Sequence, residues 1–105
     1  MVENTRTVNT QNLRNQLFIN GQFVDAVDGA TIAVANPHNN SQLTEISEAR
    51  AVDVDKAVAA ARNAFPQWKN TNPSDRGRLL MKLADKLETH FDELTELESL
   101  DTGHP

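Results

Sequence analysis

Residues 16–25 read QLFINGQFVD, and this stretch decides how the chain starts to fold. Asn20-Gly21 stands between two short apolar segments, which is the strongest short-range signal for a β-hairpin. A type I′ turn needs positive φ at both central residues, and asparagine and glycine reach that region at low cost. The apolar residues on either side favour strands. We therefore predict a hairpin that turns at Asn20-Gly21.

Further strands are predicted downstream of this hairpin. Asp28-Gly29 marks a second turn, and residues 31–35 (TIAVA) are rich in β-branched side chains, which favour a strand. Asn36-Pro37 ends this strand and opens a loop. Residues 43–46 then supply a short fourth strand, although the alternation of apolar and polar residues is thin there.

After residue 50 the apolar positions recur at steps of three and four, which is typical of an amphipathic helix. We predict a first helix from about Val52 to Ala64. It should stop before Pro66, because the residue that precedes a proline is disfavoured in the α region.

The second helix has a clearer start, since Asn72 is a good N-cap and Pro73 suits the first helical position. Its apolar stripe runs to about Leu100, with a bend or break near His90, and Gly103 is a stop signal. The sequence therefore predicts an α+β fragment, in which a hairpin and short strands precede two to three amphipathic helices.

Composition excludes several classes of function. The 105 residues carry a net charge of −5 and include no cysteine. Negative charge argues against a nucleic-acid module and a polybasic membrane anchor, and no apolar run could span a bilayer. Without cysteine there is no disulfide, thiolate nucleophile or cysteine-based metal site. His38, His90 and His104 share no metal-ligand spacing. We predict a disordered polar arm over residues 1–15 and a cytoplasmic protein.

Charge is segregated along the helical part. From Glu88 to Asp101 there are six acidic residues and no lysine or arginine, whereas Arg78, Lys82 and Lys86 form a basic i, i+4 stripe upstream. Two solvated faces would explain this pattern. The other interpretation is that the last helix packs against a partner surface outside this chain.

In order and spacing, these segments resemble the start of the aldehyde dehydrogenase superfamily. The matching segments are 18–23 (FINGQF), 34–37 (VANP), 54–65 (VDKAVAAARNAF), Trp68, 76–80 (RGRLL), 83–85 (LAD) and 97–103 (LESLDTG). Two positions depart from the family: Phe23 stands where a tryptophan is more usual, and His104 where a lysine is. The resemblance implies that residues 16–105 are the incomplete N-terminal part of a larger α/β domain.

The resemblance also implies an activity, the oxidation of aldehydes to carboxylic acids with NAD or NADP. In that family a cysteine thiolate attacks the aldehyde, hydride passes to nicotinamide, and a glutamate-activated water hydrolyses the thioester. No catalytic or cofactor-binding residue can be assigned here, because the chain has no cysteine and the other segments lie further on. The one site carried over is a partial monovalent-cation site at Val34, Ala35 and Asp101, whose oxygens suit a hard ion.

We therefore expect a truncated N-terminal segment of an NAD(P)-dependent aldehyde dehydrogenase that is inactive alone and binds no cofactor. Its partner would be the remainder of the enzyme or a second copy, and neither nucleic acid nor membrane. The alternative is a small non-catalytic interaction module that binds an aldehyde dehydrogenase subunit, or itself, through its leucine-rich helices. An unrelated α+β protein with chance similarity is a third interpretation.

Overall fold

The computed structural model describes Thr10 and residues 13–105, so most of the predicted arm over residues 1–15 lies outside the described residues. Within that part, four strands precede three helices. The elements are β1 Leu17–Ile19, β2 Gln22–Val24, β3 Thr31–Ala35, β4 Gln42–Ser47, α1 Ala51–Asn70, α2 Pro73–Thr89 and α3 Phe91–Thr102. The predicted α+β order is confirmed. Among the described helices, no segment combines the length and hydropathy of a membrane span.

The strands β1 and β2 form the predicted hairpin. They pair antiparallel, with Phe18 opposite Phe23. Asn20 and Gly21 have φ values of 54° and 76°, which are the two positive values that a type I′ turn requires. The two phenylalanine rings lie 4.9 Å apart between centroids, and the Arg14 guanidinium lies 4.2 Å from the Phe23 ring. Ring packing on one face therefore supports a hairpin of only three residue pairs.

The strands β3 and β4 form a second antiparallel pair, and the fourth strand is one residue longer at each end than predicted. The register shifts between Val34 and Ala35, where the strand bulges. The backbone carbonyl of Asn15 accepts a hydrogen bond of 2.8 Å from Ser47 N–H. This bond ties the segment before the first hairpin to the end of the second.

The prediction that the first helix stops before Pro66 is wrong. Helix α1 continues through Pro66 and ends at Asn70. Proline has no N–H, so the carbonyl of Arg62 loses its helical donor. Arg62 is exposed, and water can bond to that carbonyl. The break in the hydrogen-bond ladder therefore costs little at this position, and the alanine-rich helix upstream continues for one more turn.

The remaining helix boundaries are those that the sequence predicts. The Asn72 side chain accepts a hydrogen bond of 2.8 Å from Ser74 N–H, and Pro73 is the first residue of α2. The predicted break falls at His90, which separates α2 from α3. Gly103 ends α3 in the left-handed conformation with φ 80°.

Candidate functional site

A cavity of about 570 Å³ lies between the β3–β4 pair, helix α3 and the residues that precede the first hairpin. Its walls are largely apolar, from Leu43, Ile46, Leu94, Leu97 and Leu100. Leu100 is 5% exposed and is one of the two buried apolar side chains in the described part of the chain. Helix α3 and the β3–β4 pair thus face each other across a largely apolar space.

Two residues of the predicted cation site, Val34 and Asp101, line this cavity. Ala35 is not among the lining residues, and it pairs with Gln42 across the bulge. Among the described residues, no group of three or more histidine, aspartate or glutamate side chains is arranged to hold a metal ion. The cation site stays a prediction, and no chemical step is derived from it.

The loop after β3 reaches the end of α3, a contact that the sequence does not reveal. A Cβ atom built on Gly103 would lie 3.2 Å from the Pro37 ring, closer than ordinary van der Waals contact, so a larger residue would require a small shift of this loop. Asn36 is 6% exposed, and its side-chain oxygen accepts a hydrogen bond of 2.9 Å from His38 N–H. Its own N–H donates to the Ser41 carbonyl at 2.7 Å. Asn36 thus holds the loop in the shape that receives the helix end.

Asp53 is the most buried charged residue of the described chain, at 3% exposure. Its two carboxylate oxygens accept from Val27 N–H at 3.0 and 3.2 Å, and one of them accepts from Arg50 N–H at 2.9 Å. Asp53 therefore caps the start of α1 and ties it to the loop between β2 and β3. The sequence shows it only as a favourable acid in the first helical turn, although the third helical position is where a capping-box acid belongs.

An exposed ion pair lies beside this capping residue. Arg50 Nε donates to Asp28 Oδ2 at 2.7 Å, and Arg50 Nη1 lies 3.4 Å from Glu48 Oε1. Ala30 N–H donates to the other Asp28 oxygen at 3.0 Å. The Ala30 N–H, and then the hydrogen bond from Arg50, hold the pKa of Asp28 below its ordinary value. The same pairing raises the pKa of Arg50.

Large apolar side chains remain exposed over much of the helical surface. Helix α2 has no buried residue at all. Its Leu79, Leu80, Leu83 and Leu87 are between 48% and 58% exposed. On α1, Phe65 is 58% exposed and has the Lys69 amine 6.0 Å from its ring centroid. Contiguous apolar surface of this kind marks an interaction surface in a folded protein.

No glycine-rich phosphate-binding loop occurs in this sequence. The four glycines of the chain, which a phosphate-binding loop would bring together, are far apart. Gly21 and Gly29 lie in turns between strands, Gly77 lies inside α2, and Gly103 ends α3. No step that involves a nicotinamide cofactor can therefore be assigned to these residues.

The strands and helices occur in the order that the resemblance predicts. The Asn36-Pro37 loop also contacts the end of α3, so two of the matching segments are neighbours in space. The model of the aldehyde dehydrogenase family matches residues 23–105. The chain belongs to this family and corresponds to its N-terminal region.

Individual relatives agree with this assignment. The chain is 47% identical over 96 residues to the cytosolic 10-formyltetrahydrofolate dehydrogenase of Xenopus tropicalis, which covers 90% of this chain and 11% of the relative. The crystal structure of PnpE in complex with nicotinamide adenine dinucleotide has a TM-score of 0.85 and 57% identity, covering 89% of this chain and 19% of that one. PnpE from Pseudomonas sp. WBC-3 has a TM-score of 0.80 and 56% identity, covering 84% and 18%. The chain thus spans a tenth to a fifth of these relatives.

Proposed function

We propose that this chain is the N-terminal packing segment of an NAD(P)-dependent aldehyde dehydrogenase, and that it does not oxidise aldehydes by itself. One observation carries the proposal. The chain belongs to the family and spans 19% of a solved relative, yet it contains no cysteine to act as the thiolate nucleophile. Aldehyde chemistry, with NAD or NADP as oxidant, would belong to a longer protein of which these residues form one part.

The exposed face of α2 supports a packing role. Leu79, Leu80, Leu83 and Leu87 have about half of their surface accessible. Covering the exposed half of each would contribute about 1 kcal/mol per side chain, since complete burial of a leucine contributes about 1.5–3 kcal/mol. A gain of this size for one helix is sufficient to favour docking on a larger domain. We assign that domain to the remainder of the enzyme.

The proposal extends to cofactor and location. The related PnpE structure holds nicotinamide adenine dinucleotide. We assign that cofactor, or its phosphorylated form, to the longer protein and to none of the residues of this chain. A cytoplasmic location agrees with the cytosolic enzyme of Xenopus tropicalis, which is similar over 96 residues.

A chimera tests the proposal. Residues 16–105 would replace the corresponding segment of PnpE, and formation of NADH would be followed with an aldehyde that the parent oxidises. We expect the chimera to fold and retain activity, whereas the 105-residue chain alone forms no NADH. Catalytic NADH formation by the pure chain would overturn the proposal. A chimera that assembles like PnpE only after α2 has been deleted would also overturn the proposal.

Matched variants of the chimera locate the packing face. Leu83→Asp would place a charge on the apolar face of α2, and we expect the chimera to lose assembly and activity. Lys82→Asp, one residue earlier on the basic stripe, should leave both nearly unchanged. Equal losses in the two variants would contradict a packing role for this face.

The same exposed face favours a second candidate, a non-catalytic interaction module. In that case the free chain would bind an intact aldehyde dehydrogenase subunit, or a second copy, in a saturable way that Leu83→Asp abolishes. Sedimentation of the free chain, with and without intact PnpE, separates this candidate from the packing segment.

A further inference from the structure

Two dipeptides of this chain share a sequence type and a positive φ at their glycine, but they differ in how their side chains are held. Asn20-Gly21 turns the first hairpin, and Asp28-Gly29 turns the chain before β3. Gly21 and Gly29 have φ values of 76° and 72°. At each glycine, no atom lies within 4 Å of the place where a Cβ would be. No side chain therefore crowds the nitrogen that follows either Asx residue, but Gly29 N–H donates a hydrogen bond of 2.8 Å to the Ala26 carbonyl, and no such bond is described for Gly21 N–H.

The Asp28 side chain is held at both oxygens. Ala30 N–H donates to one oxygen at 3.0 Å, and Arg50 Nε donates to the other at 2.7 Å. The group is therefore fixed as a carboxylate, which is a poor electrophile. In the described part of the chain, no hydrogen bond holds the Asn20 side chain, and the residue is exposed. Asn20 carries a neutral amide that is free to rotate.

A third residue provides an internal comparison. Asn40 is also exposed and has a positive φ of 60°. The residue that follows it is Ser41, whose N–H donates to the Asn39 side-chain oxygen at 3.0 Å. The nucleophile beside Asn40 is thus both hindered by a side chain and engaged in a hydrogen bond. The backbone hydrogen bonds described for the turns include none donated by Gly21 N–H.

We propose that Asn20-Gly21 is a site of spontaneous deamidation, at which Asn20 is converted through a cyclic imide to aspartate and isoaspartate. The deprotonated Gly21 nitrogen attacks Asn20 Cγ, a new C–N bond forms, the bond to the amide nitrogen breaks, and ammonia leaves with one proton from solvent. Water then opens the imide at either carbonyl. Nothing is oxidised or reduced, and the only co-reactant is water.

The reaction should proceed from open states of the hairpin. Attack requires the Gly21 nitrogen to reach Asn20 Cγ, and a turn held closed by its strands restricts the backbone rotation that brings the two atoms together. The hairpin has three residue pairs, and a two-stranded hairpin of this size is marginally stable in water. Local opening at low free energy is therefore available without unfolding the helices. The opening equilibrium sets the rate.

The product would weaken the same hairpin. Isoaspartate adds one carbon to the backbone, and this shifts the register that places Phe18 opposite Phe23. It also places a carboxylate at the turn. Since β1 packs on α1 through Leu17 and Ile19, the shift would loosen the contact between hairpin and helix.

The test is peptide mapping of the full 105-residue chain by mass spectrometry after incubation at mildly alkaline pH, with isoaspartate assigned by fragmentation. We expect deamidation at Asn20 to precede that at Asn40, and its rate to rise with hydroxide concentration. Asn20→Gly keeps a turn that accepts positive φ and should remove the signal.

In urea, Asn20 should react roughly tenfold faster or more, which corresponds to about 1.4 kcal/mol for opening the hairpin. Equal or earlier reaction at Asn40, or no reaction at Asn20 in the native chain, would overturn the proposal.

A second arm tests why Asp28-Gly29 is protected. Arg50→Ala removes one of the two donors to Asp28, and we expect isomerisation at Asp28-Gly29 to increase several-fold while Asn20 is unaffected. Lys56→Ala, an exposed position on α1, is the matched control and should change neither rate. If Arg50→Ala leaves Asp28 as stable as before, the fixed carboxylate is not what separates the two dipeptides, and the inference fails.

Discussion

The start of α1 and the whole of α2 differ in what holds them. The first turn of helix α1 contains a carboxylate, Asp53, that is 3% exposed and accepts hydrogen bonds from two backbone N–H groups. Helix α2 is of similar length but has no buried residue, and its apolar face is open. Every buried side-chain polar atom of the described residues thus has a hydrogen-bond partner, whereas many large apolar side chains are exposed. A segment built in this way can hold its local shape and still depend on another surface for stability.

The largest effect in this comparison is expected from Asp53→Ala. The substitution removes the acceptor for Val27 N–H and Arg50 N–H, whose hydrogen bonds are part-buried. An unsatisfied buried donor costs about 1–3 kcal/mol, and since these two donors are only part-buried, we expect a combined loss of about 2–3 kcal/mol in free energy of unfolding. The measurement is urea unfolding of the chain followed by circular dichroism.

Asp55→Ala is the matched control, since Asp55 is an exposed acid in the same helix. It should change stability by less than about 0.5 kcal/mol. Hydrogen exchange at the Val27 amide gives a local readout, and it should become much faster only in Asp53→Ala. Unchanged protection of Val27 in that variant would show that the carboxylate does not tie the loop to the helix.

A smaller loss of stability is expected when a buried leucine and an exposed leucine are each replaced by alanine. Leu100 is 5% exposed, and Leu83 is 54% exposed. Leu100→Ala should destabilise the free chain by about 2 kcal/mol, near the low end for buried leucines because the adjoining cavity is open. Leu83→Ala should cost less than about 0.5 kcal/mol in the free chain and more in a PnpE chimera, where we propose that the rest of the enzyme covers this face. Equal costs of Leu83→Ala in the two contexts would contradict an uncovered packing face.

Much of the fold could be predicted from the sequence because its signals are local. Asn20-Gly21 specifies its own turn, and Asn72 with Pro73 specifies a helix start. Gly103 marks the stop of α3 within the same few residues that form it. Each of these signals concerns backbone preferences of adjacent residues, which a single sequence records directly.

The contacts that organise these elements could not be predicted in the same way. Asp53 accepts from an N–H 26 residues away. Pro37, in the first half of the chain, contacts Gly103 near the last residue. The periodicity and spacing of residues in a sequence do not indicate which distant backbone N–H an acidic side chain will bind. Pro66 shows the opposite limit, since a correct local rule gives the wrong helix end when the freed carbonyl can reach water. For the predicted cation site, the structure places Val34 and Asp101 on one cavity, which the resemblance alone could not show.

The smallest effect concerns the exposed pair beside Asp53. The pKa of Asp28 is lower in the folded chain than its usual value of 3.8. Its contribution to stability is therefore fully present above that value and is lost as the pH falls through the lower, folded pKa. The pKa of Arg50 is raised by its pairing with Asp28, so its charge persists throughout this window. Asp28→Asn should slightly lower the urea midpoint at neutral pH, and the difference in midpoint from the unsubstituted chain should vanish well below the folded pKa.

The side chains of Asp28 and Arg50 are both exposed, so salt should also reduce the difference in midpoint at neutral pH. A difference that persists unchanged in acid would mean that Asp28 stabilises the turn through hydrogen-bond geometry and not through its charge.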